Sequence, residues 1–282
     1  MMTHSPSVEN SCDCMPGAGL DPAKMPGHWL LARLGKRVLR PGGLGLTRQM
    51  LGALALSPED HVVEFAPGLG VTAKMALSAN PASYTAIERD PAAATQVRRW
   101  LGEGSSGQSR QVINGLAQET HLPDACGTAV YGEAMLSMQT ETRKRQIIRE
   151  AFRLLKPGGR YGVHELSLVP DDLPADDAGR ICHDVTHAIH HQAVPLTCRK
   201  WEELFRSEGF EIAHRSSAPM ALLEPMRLIK DEGFWGAARF FGRLLADGQA
   251  RRRVKEMRRV FHQYRHQLAA ICLVLRKPER PQ

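Results

Sequence analysis

The chain has 282 residues, 43% of them hydrophobic, and a formal net charge of +7. That length suits one large domain, or one domain with an inserted cap, and the apolar content supports a sizeable core with no fibrous or low-complexity character. No stretch approaches the roughly 20 apolar residues that cross a bilayer, which sets aside a helical channel or transporter.

Residues 1–19 show neither a basic start nor an apolar core and read as a disordered leader, not an export signal. The expected compartment is then the cytoplasm, with all six cysteines reduced. Cys12 and Cys14 form a CxC pair, and Cys126, Cys182, Cys198 and Cys272 lack metal-ligand spacing, so no metal site is expected from them. Residues 26–40 read as a helix with Leu31, Leu34 and Val38 on one face, stopped by Pro41-Gly42-Gly43. A second helix is expected over Thr47–Leu56, with Thr47 as its N-cap.

From His61 the rhythm becomes strand, turn, helix. Strands are expected at 61–66, 83–88, 111–114, 128–131 and 160–168, with helices at 71–78, 91–101 and 140–155 between them and a loop at 102–109. Such alternation implies a parallel sheet with right-handed crossovers. Past Pro170 the spacing predicts helices over 178–192 and 199–207 and a sixth strand at 210–213. An aromatic-rich helical stretch follows over 224–246, broken at Gly233 and Gly236. An amphipathic helix over 249–267 and a last strand at 268–275 complete the chain.

The chemistry begins at Gly68-Leu69-Gly70, between a buried strand and a helix. Glycines there let backbone approach a ligand, and the helix N-terminus offers free amide donors. Glu88 lies 18 residues beyond Gly70 at the tip of the second strand, where a carboxylate can accept hydrogen bonds from ribose hydroxyls. Together they point to an adenosine-containing cofactor at the carboxyl ends of the strands, without separating a nicotinamide cofactor from S-adenosylmethionine.

Three segments carry a resemblance that separates them. Val62-Val-Glu-Phe-Ala-Pro-Gly-Leu-Gly70, Ala117-Gln-Glu-Thr-His-Leu-Pro123 and Leu154-Leu-Lys-Pro-Gly-Gly-Arg-Tyr-Gly162 resemble, in order and separation, motifs of the Rossmann-like (class I) S-adenosylmethionine-dependent methyltransferases. The look is nearest to the ubiquinone/menaquinone-type small-molecule enzymes. The resemblance implies an α/β doubly wound, mostly parallel seven-stranded sheet with the last strand antiparallel, helices on both faces and a helical cap. Lid helices would occupy residues 20–57, and the S-adenosylmethionine domain 58–282, with the cap inserted at about 222–267. Trp29, Leu30, Met220, Leu222, Phe234 and Trp235 would make that cap apolar.

By the same resemblance Glu64 organises the methionine ammonium, Ala66, Gly68 and Gly70 form the cofactor turn, Glu88 holds the ribose and Gln118 reads adenine. Glu133 and Ala134 line the methionine end. Two departures stand out: Glu64 replaces the usual Asp, and Ala66 stands where a glycine is common. Methyl transfer needs an aligned nucleophile and, for an OH or acidic CH, a proton acceptor. Candidate bases at strand ends are Glu133, His164 and Glu165.

His183, His187, His190 and His191 share one face of the helix expected over 178–192. The i, i+4 pairs His183/His187 and His187/His191 could hold a metal, but a polar helix face is the leading reading, ahead of a catalytic base and then a metal site, and no metal is expected. The expected acceptor is a small, hydrophobic O-, C- or S-nucleophile. A thiol or metalloid acceptor, a nucleic-acid or protein acceptor, and a non-catalytic cofactor-binding module are the alternatives. Nucleic acid is not the expected partner, because no Asn/Asp-Pro-Pro-Tyr follows the fourth strand. The basic run from Arg251 to Arg259 makes peripheral contact with an anionic membrane surface a candidate. Oligomeric state carries no signal in the sequence.

Overall fold

The computed structural model describes residues 16–17, 20–102 and 109–279. Most of the expected leader, including Cys12 and Cys14, and residues 103–108 of the expected loop lie outside them. In chain order the described elements begin with α1 (Gly27–Arg33) and α2 (Gly43–Leu54), followed by β1 (His61–Phe65), α3 (Val71–Leu77), β2 (Ser83–Glu88), α4 (Pro91–Gly102), β3 (Ser109–Asn114) and β4 (Gly127–Glu133). After a 3-10 turn, Leu136–Met138, come α5 (Glu141–Leu154) and β5 (Leu155–Leu168). Then come α6 (Ala175–Ile189), β6 (Leu196–Thr197), α7 (Cys198–Ser207), β7 (Glu211–Pro219), α8 (Pro225–Ala246), α9 (Gly248–Gln263) and β8 (Leu268–Arg276).

The strands form one sheet in the order β3-β2-β1-β4-β5-β8-β7, with the two-residue β6 paired to the end of β5. Eight strands therefore replace the seven expected; the extra one is a brief parallel pairing at Ser167 and Leu168. All pairings are parallel except those of β8, which runs antiparallel to β5 and β7.

Apolar residues crowd both faces of the central strands, as a sheet covered on both sides requires. In β1, Val63 and Phe65 join the core beneath α5 and α7, while Val62 joins that beneath α2, α3 and α4. In β8, Ile271, Leu273 and Leu275 serve the first face and Ala270, Cys272 and Val274 the second. A third core, built from α1, α6, α8 and α9 over Leu166 and Leu168, forms the cap.

The chain start differs from expectation. The helix expected over 26–40 ends at Arg33, and Leu34 and Val38 are buried outside it. The second helix begins at Gly43, so Thr47 lies inside it, not at its cap, with its hydroxyl oxygen 3.3 Å from the Gly43 carbonyl. The lid expected over 20–57 is split: α1 packs with α6 and α9, whereas α2 lies on β5, β7 and β8. In α8 only Gly233 interrupts the helix, with φ 74°. Thr140 caps α5, accepting from the Arg143 N–H.

Candidate active site

Parallel strands bring their carboxyl ends to one edge of a sheet, so the loops that follow them converge. Here the loops after β1, β2, β3 and β4 meet beneath the cap and enclose a cavity of about 620 Å³. Glu64, Ala66, Gly68, Glu88, Gln118, Glu133 and Ala134 all line it, from four separate segments of the chain.

The turn after β1 shows why its residue types matter. Ala66 sits at φ 52°, a left-handed conformation that costs an alanine about 1–2 kcal/mol. Its N–H donates to the Ile87 carbonyl at 2.8 Å, which ties the turn to β2. Gly68, also left-handed, has nothing within 4 Å of where a Cβ would stand, so its backbone is open to a ligand. Gly70 does not line the cavity. A Cβ there would come within 2.5 Å of the Trp100 ring, so this glycine is needed for packing and for the start of α3.

Glu64 is buried, and the Tyr84 and Tyr131 hydroxyls both donate to its Oε2, Tyr131 at 2.7 Å. Burial pushes its carboxyl up to about 7, against the pull of those two hydroxyls. A buried acid of this kind, lining a cavity, is chemically suited to a cationic ligand group. Glu88 accepts the Gly68 N–H at 3.0 Å and the Asp90 N–H at 2.9 Å. Burial raises its pKa, and these backbone donors oppose the rise.

Glu133, at the end of β4, is the centre of a buried polar cluster. Arg40 Nη1 stands 3.0 Å from its Oε2, the Thr47 hydroxyl donates to Oε1 at 2.6 Å, and the Thr72 hydroxyl donates to Oε2. His164 Nδ1 lies 2.8 Å from Oε1, and His164 Nε2 accepts the Gly42 N–H at 3.0 Å. With Nε2 accepting, the ring proton of a neutral His164 belongs on Nδ1, donated to Glu133. Burial alone would raise the Glu133 pKa; Arg40, His164 and Thr47 outweigh it and hold the group at about 2. His164 is wholly buried and does not line the cavity.

Glu165 is also placed away from the cavity, on the other face of the sheet. It accepts the Met135, Leu136 and Ser137 N–H groups and the Ser137 hydroxyl, at 2.7 to 3.0 Å. Its carboxylate caps the 3-10 turn after β4, each oxygen accepting two hydrogen bonds. Neither of these two expected bases lines the cavity: Glu165 is bound to the turn after β4, and His164 contacts Glu133.

The opposite end of the cavity is apolar, lined by Trp29, Leu39, Met138, Val185, Met220, Leu222, Met257 and Phe261. Of the cap residues expected there, Leu30 is instead buried in the cap core, and Phe234 and Trp235 face outward. The imidazoles of His28 and His191 also line the cavity, ring centroids 5.5 Å apart, with Arg89 and Asp90 near His28. Burial, with His191 and Arg89 nearby, pushes His28 down to about 4.

The histidine stripe is not continuous. α6 ends at Ile189, and His190 adopts φ 48° at its C-cap, so His191 leaves the helical face and reaches the cavity. His183 and His187 are exposed; His187 stands 3.6 Å from Glu256 on α9 and not in the acceptor lobe. Among the described residues no group of three His, Cys, Asp or Glu side chains could hold a metal ion, and none of Cys126, Cys182 and Cys198 lines the cavity. Sequence reasoning missed Arg40, Thr72 and His28, none of which belongs to a recognisable spacing.

A doubly wound sheet with a glycine turn after β1 and an acid at the tip of β2 defines a nucleotide-cofactor enzyme of the class I methyltransferase architecture. A methyltransferase-domain family model matches residues 62–159. A protein of uncharacterised function from Haemophilus influenzae is 30% identical over 251 residues, covering 89% of this chain and 98% of its own. The cyclopropane synthase MmaA2 from Mycobacterium tuberculosis superposes with a TM-score of 0.69 at 14% identity, over 96% of this chain and all of its own. The geranyl diphosphate C-methyltransferase from Streptomyces coelicolor, solved with geranyl diphosphate and S-adenosyl-L-homocysteine, gives 0.59 at 14% identity, over 83% and 77% of the two chains. The chain belongs to the class I S-adenosylmethionine-dependent methyltransferases, and its cofactor is S-adenosylmethionine.

Proposed function

We propose that the chain methylates a small, largely apolar molecule held beneath the helical cap. The observation that carries this reading is one cavity of about 620 Å³ lined by acids and a glycine turn at the strand ends and by apolar side chains from the cap. When bound, S-adenosylmethionine supplies an electrophilic methyl on a sulfonium. The protein's task is to hold the donor, align the acceptor and exclude water.

In this reading the free Oε1 of Glu64 meets the donor's ammonium, Glu88 accepts from the ribose and Gln118 accepts from the adenine amino group. The backbone at Ala66, Gly68 and Ala134 walls the donor, with Gly70 acting through the turn. Glu133, held as an anion by Arg40, is a poor proton acceptor and serves to order the methionine end. The polar end of the acceptor falls to His28 and His191. The geranyl diphosphate bound by the Streptomyces coelicolor enzyme supports an apolar acceptor of this size. No described cysteine lines the cavity, which disfavours the thiol or metalloid alternative, and a small-molecule acceptor is favoured over nucleic acid. A cytoplasmic location fits the four described cysteines, all free thiols.

Calorimetry with S-adenosylmethionine, S-adenosylhomocysteine and NAD tests the donor end. A radiolabelled-methyl assay over quinols, phenols, fatty acids, thiols and metalloids then tests the acceptor end. His28→Ala is expected to lower turnover and leave donor affinity unchanged. Tighter binding of NAD, or label appearing only in protein or nucleic acid, would overturn the reading.

A further inference from the structure

Helix α8 turns its two acids inward, with Arg227 beside them donating to the Gly42 carbonyl at 3.2 Å. Glu232 accepts the Arg37 and Val38 N–H groups at 2.8 and 2.7 Å, and Asp231 accepts that of Leu44 at 3.1 Å. Outward it presents Phe234, Trp235 and Leu245, at 67%, 79% and 69% exposure. Phe234, Ala238, Phe241 and Leu245 follow one another at spacings of four, three and four, a single stripe along the helix. Exposed Arg239 and Arg243 run along one side of the stripe, Arg243 also donating to the Arg33 carbonyl at 3.1 Å, and Arg251 and Arg252 continue the positive charge at the start of α9. From Gly233 to Arg253 the only acid is Asp247, whose carboxylate is engaged in capping α9 at 2.9 to 3.0 Å.

We propose that this outer face of α8 and the start of α9 dock on an anionic lipid bilayer. Aromatic and aliphatic side chains on one face of a helix bury into the headgroup boundary while flanking cations meet lipid phosphates. Duplex nucleic acid would account for the arginines but would leave the apolar stripe in water. A second copy would cover the stripe, but a two-fold contact sets a surface against itself, so arginines would face arginines. The inner side of the same cap lines the apolar lobe through Met257 and Phe261. Docking would therefore bring the acceptor lobe next to the phase in which apolar molecules collect.

The test is co-sedimentation of the full chain with phosphatidylcholine vesicles, with and without phosphatidylglycerol. Binding is expected only with the anionic lipid, should weaken as salt rises, and should fall roughly tenfold or more in Phe234→Ser/Trp235→Ser as apolar burial is lost. Both side chains are exposed, so circular dichroism of the variant should match the wild type. Trp235 emission should shift to the blue on anionic vesicles, and Trp235→Phe should remove the shift. Equal sedimentation of wild type and double variant, or no sedimentation, overturns the proposal. So does a dimer in sedimentation velocity that the double variant dissolves, or binding of duplex DNA unaffected by that variant. No step requires methyl transfer, so failure here leaves the acceptor reading standing, and failure of that reading leaves this one.

Discussion

At the sheet end, the cavity is walled by backbone turns and acids whose places follow from strand ends: Ala66 and Gly68 after β1, Glu88 at the tip of β2, Gln118 after β3. At the cap end, it is walled by side chains from residues as far apart as Trp29, Met138, Val185 and Phe261. A donor shared by a whole family calls for fixed backbone geometry, whereas an acceptor particular to one enzyme is met by side chains that can be exchanged. Between the two ends stands Glu133, tied through Arg40 and Gly42-bound His164 to the segment that joins α1 to α2, and through Thr47 to α2 itself.

That link offers the strongest way to break the contrast. Arg40→Met leaves Glu133 and its hydrogen bonds buried without a countercharge, which should cost about 3–5 kcal/mol of stability in urea unfolding. A loss below about 1 kcal/mol would show that the two ends are not coupled there. The pH dependence of donor binding comes next. Free Glu64, at about 7, must ionise to meet a cation, so affinity for S-adenosylmethionine should weaken roughly tenfold per pH unit below 7 and level off above it. Calorimetry in buffers of different ionisation enthalpy should detect proton release on binding near pH 6, and Glu64→Gln should abolish it. The stability terms have opposite signs. That of Glu64, raised on folding, is present below its ordinary 4.5 and lost as pH rises through about 7. That of Glu133, depressed to about 2, is present above 4.5 and lost as pH falls towards 2.

Glu88→Ala should cost about 1–3 kcal/mol of donor binding through lost charge-assisted hydrogen bonds. An unchanged dissociation constant would move the ribose elsewhere. The smallest effect belongs to the cap's outer surface. His187→Ala should alter stability by less than about 0.5 kcal/mol and leave turnover intact, with no inhibition by chelator. A loss of turnover would restore the histidine stripe as a functional element.

The alternation of short strand runs with helices is enough to read β1 to β5 and α3 to α5 in order; β1, β2, β4 and β5 are covered on both faces and mostly apolar, whereas the edge strand β3 is marked by its place in the alternation. Gly68 and Glu88 were readable as a pair for the same local reason: a tight turn and a strand-tip acid are properties of a few adjacent residues. Gly70 was readable as a required glycine, though what requires it is Trp100, 30 residues away.

What the tertiary structure alone decided is the function of polar groups whose partners lie far along the chain. Glu133, His164 and Glu165 read alike as acids and bases at strand ends. Packing makes the first an anion anchored by Arg40, turns the second away from the cavity and uses the third to cap a turn. The four histidines looked like one stripe because helical periodicity was extended past Ile189; the left-handed His190 sends His191 alone to the cavity. Phe234 and Trp235 passed for cap lining because apolarity does not say which side of a helix meets a neighbour. Periodicity and turn chemistry act over a few residues and are written in the sequence, whereas charge pairing and burial depend on which distant segments folding brings together.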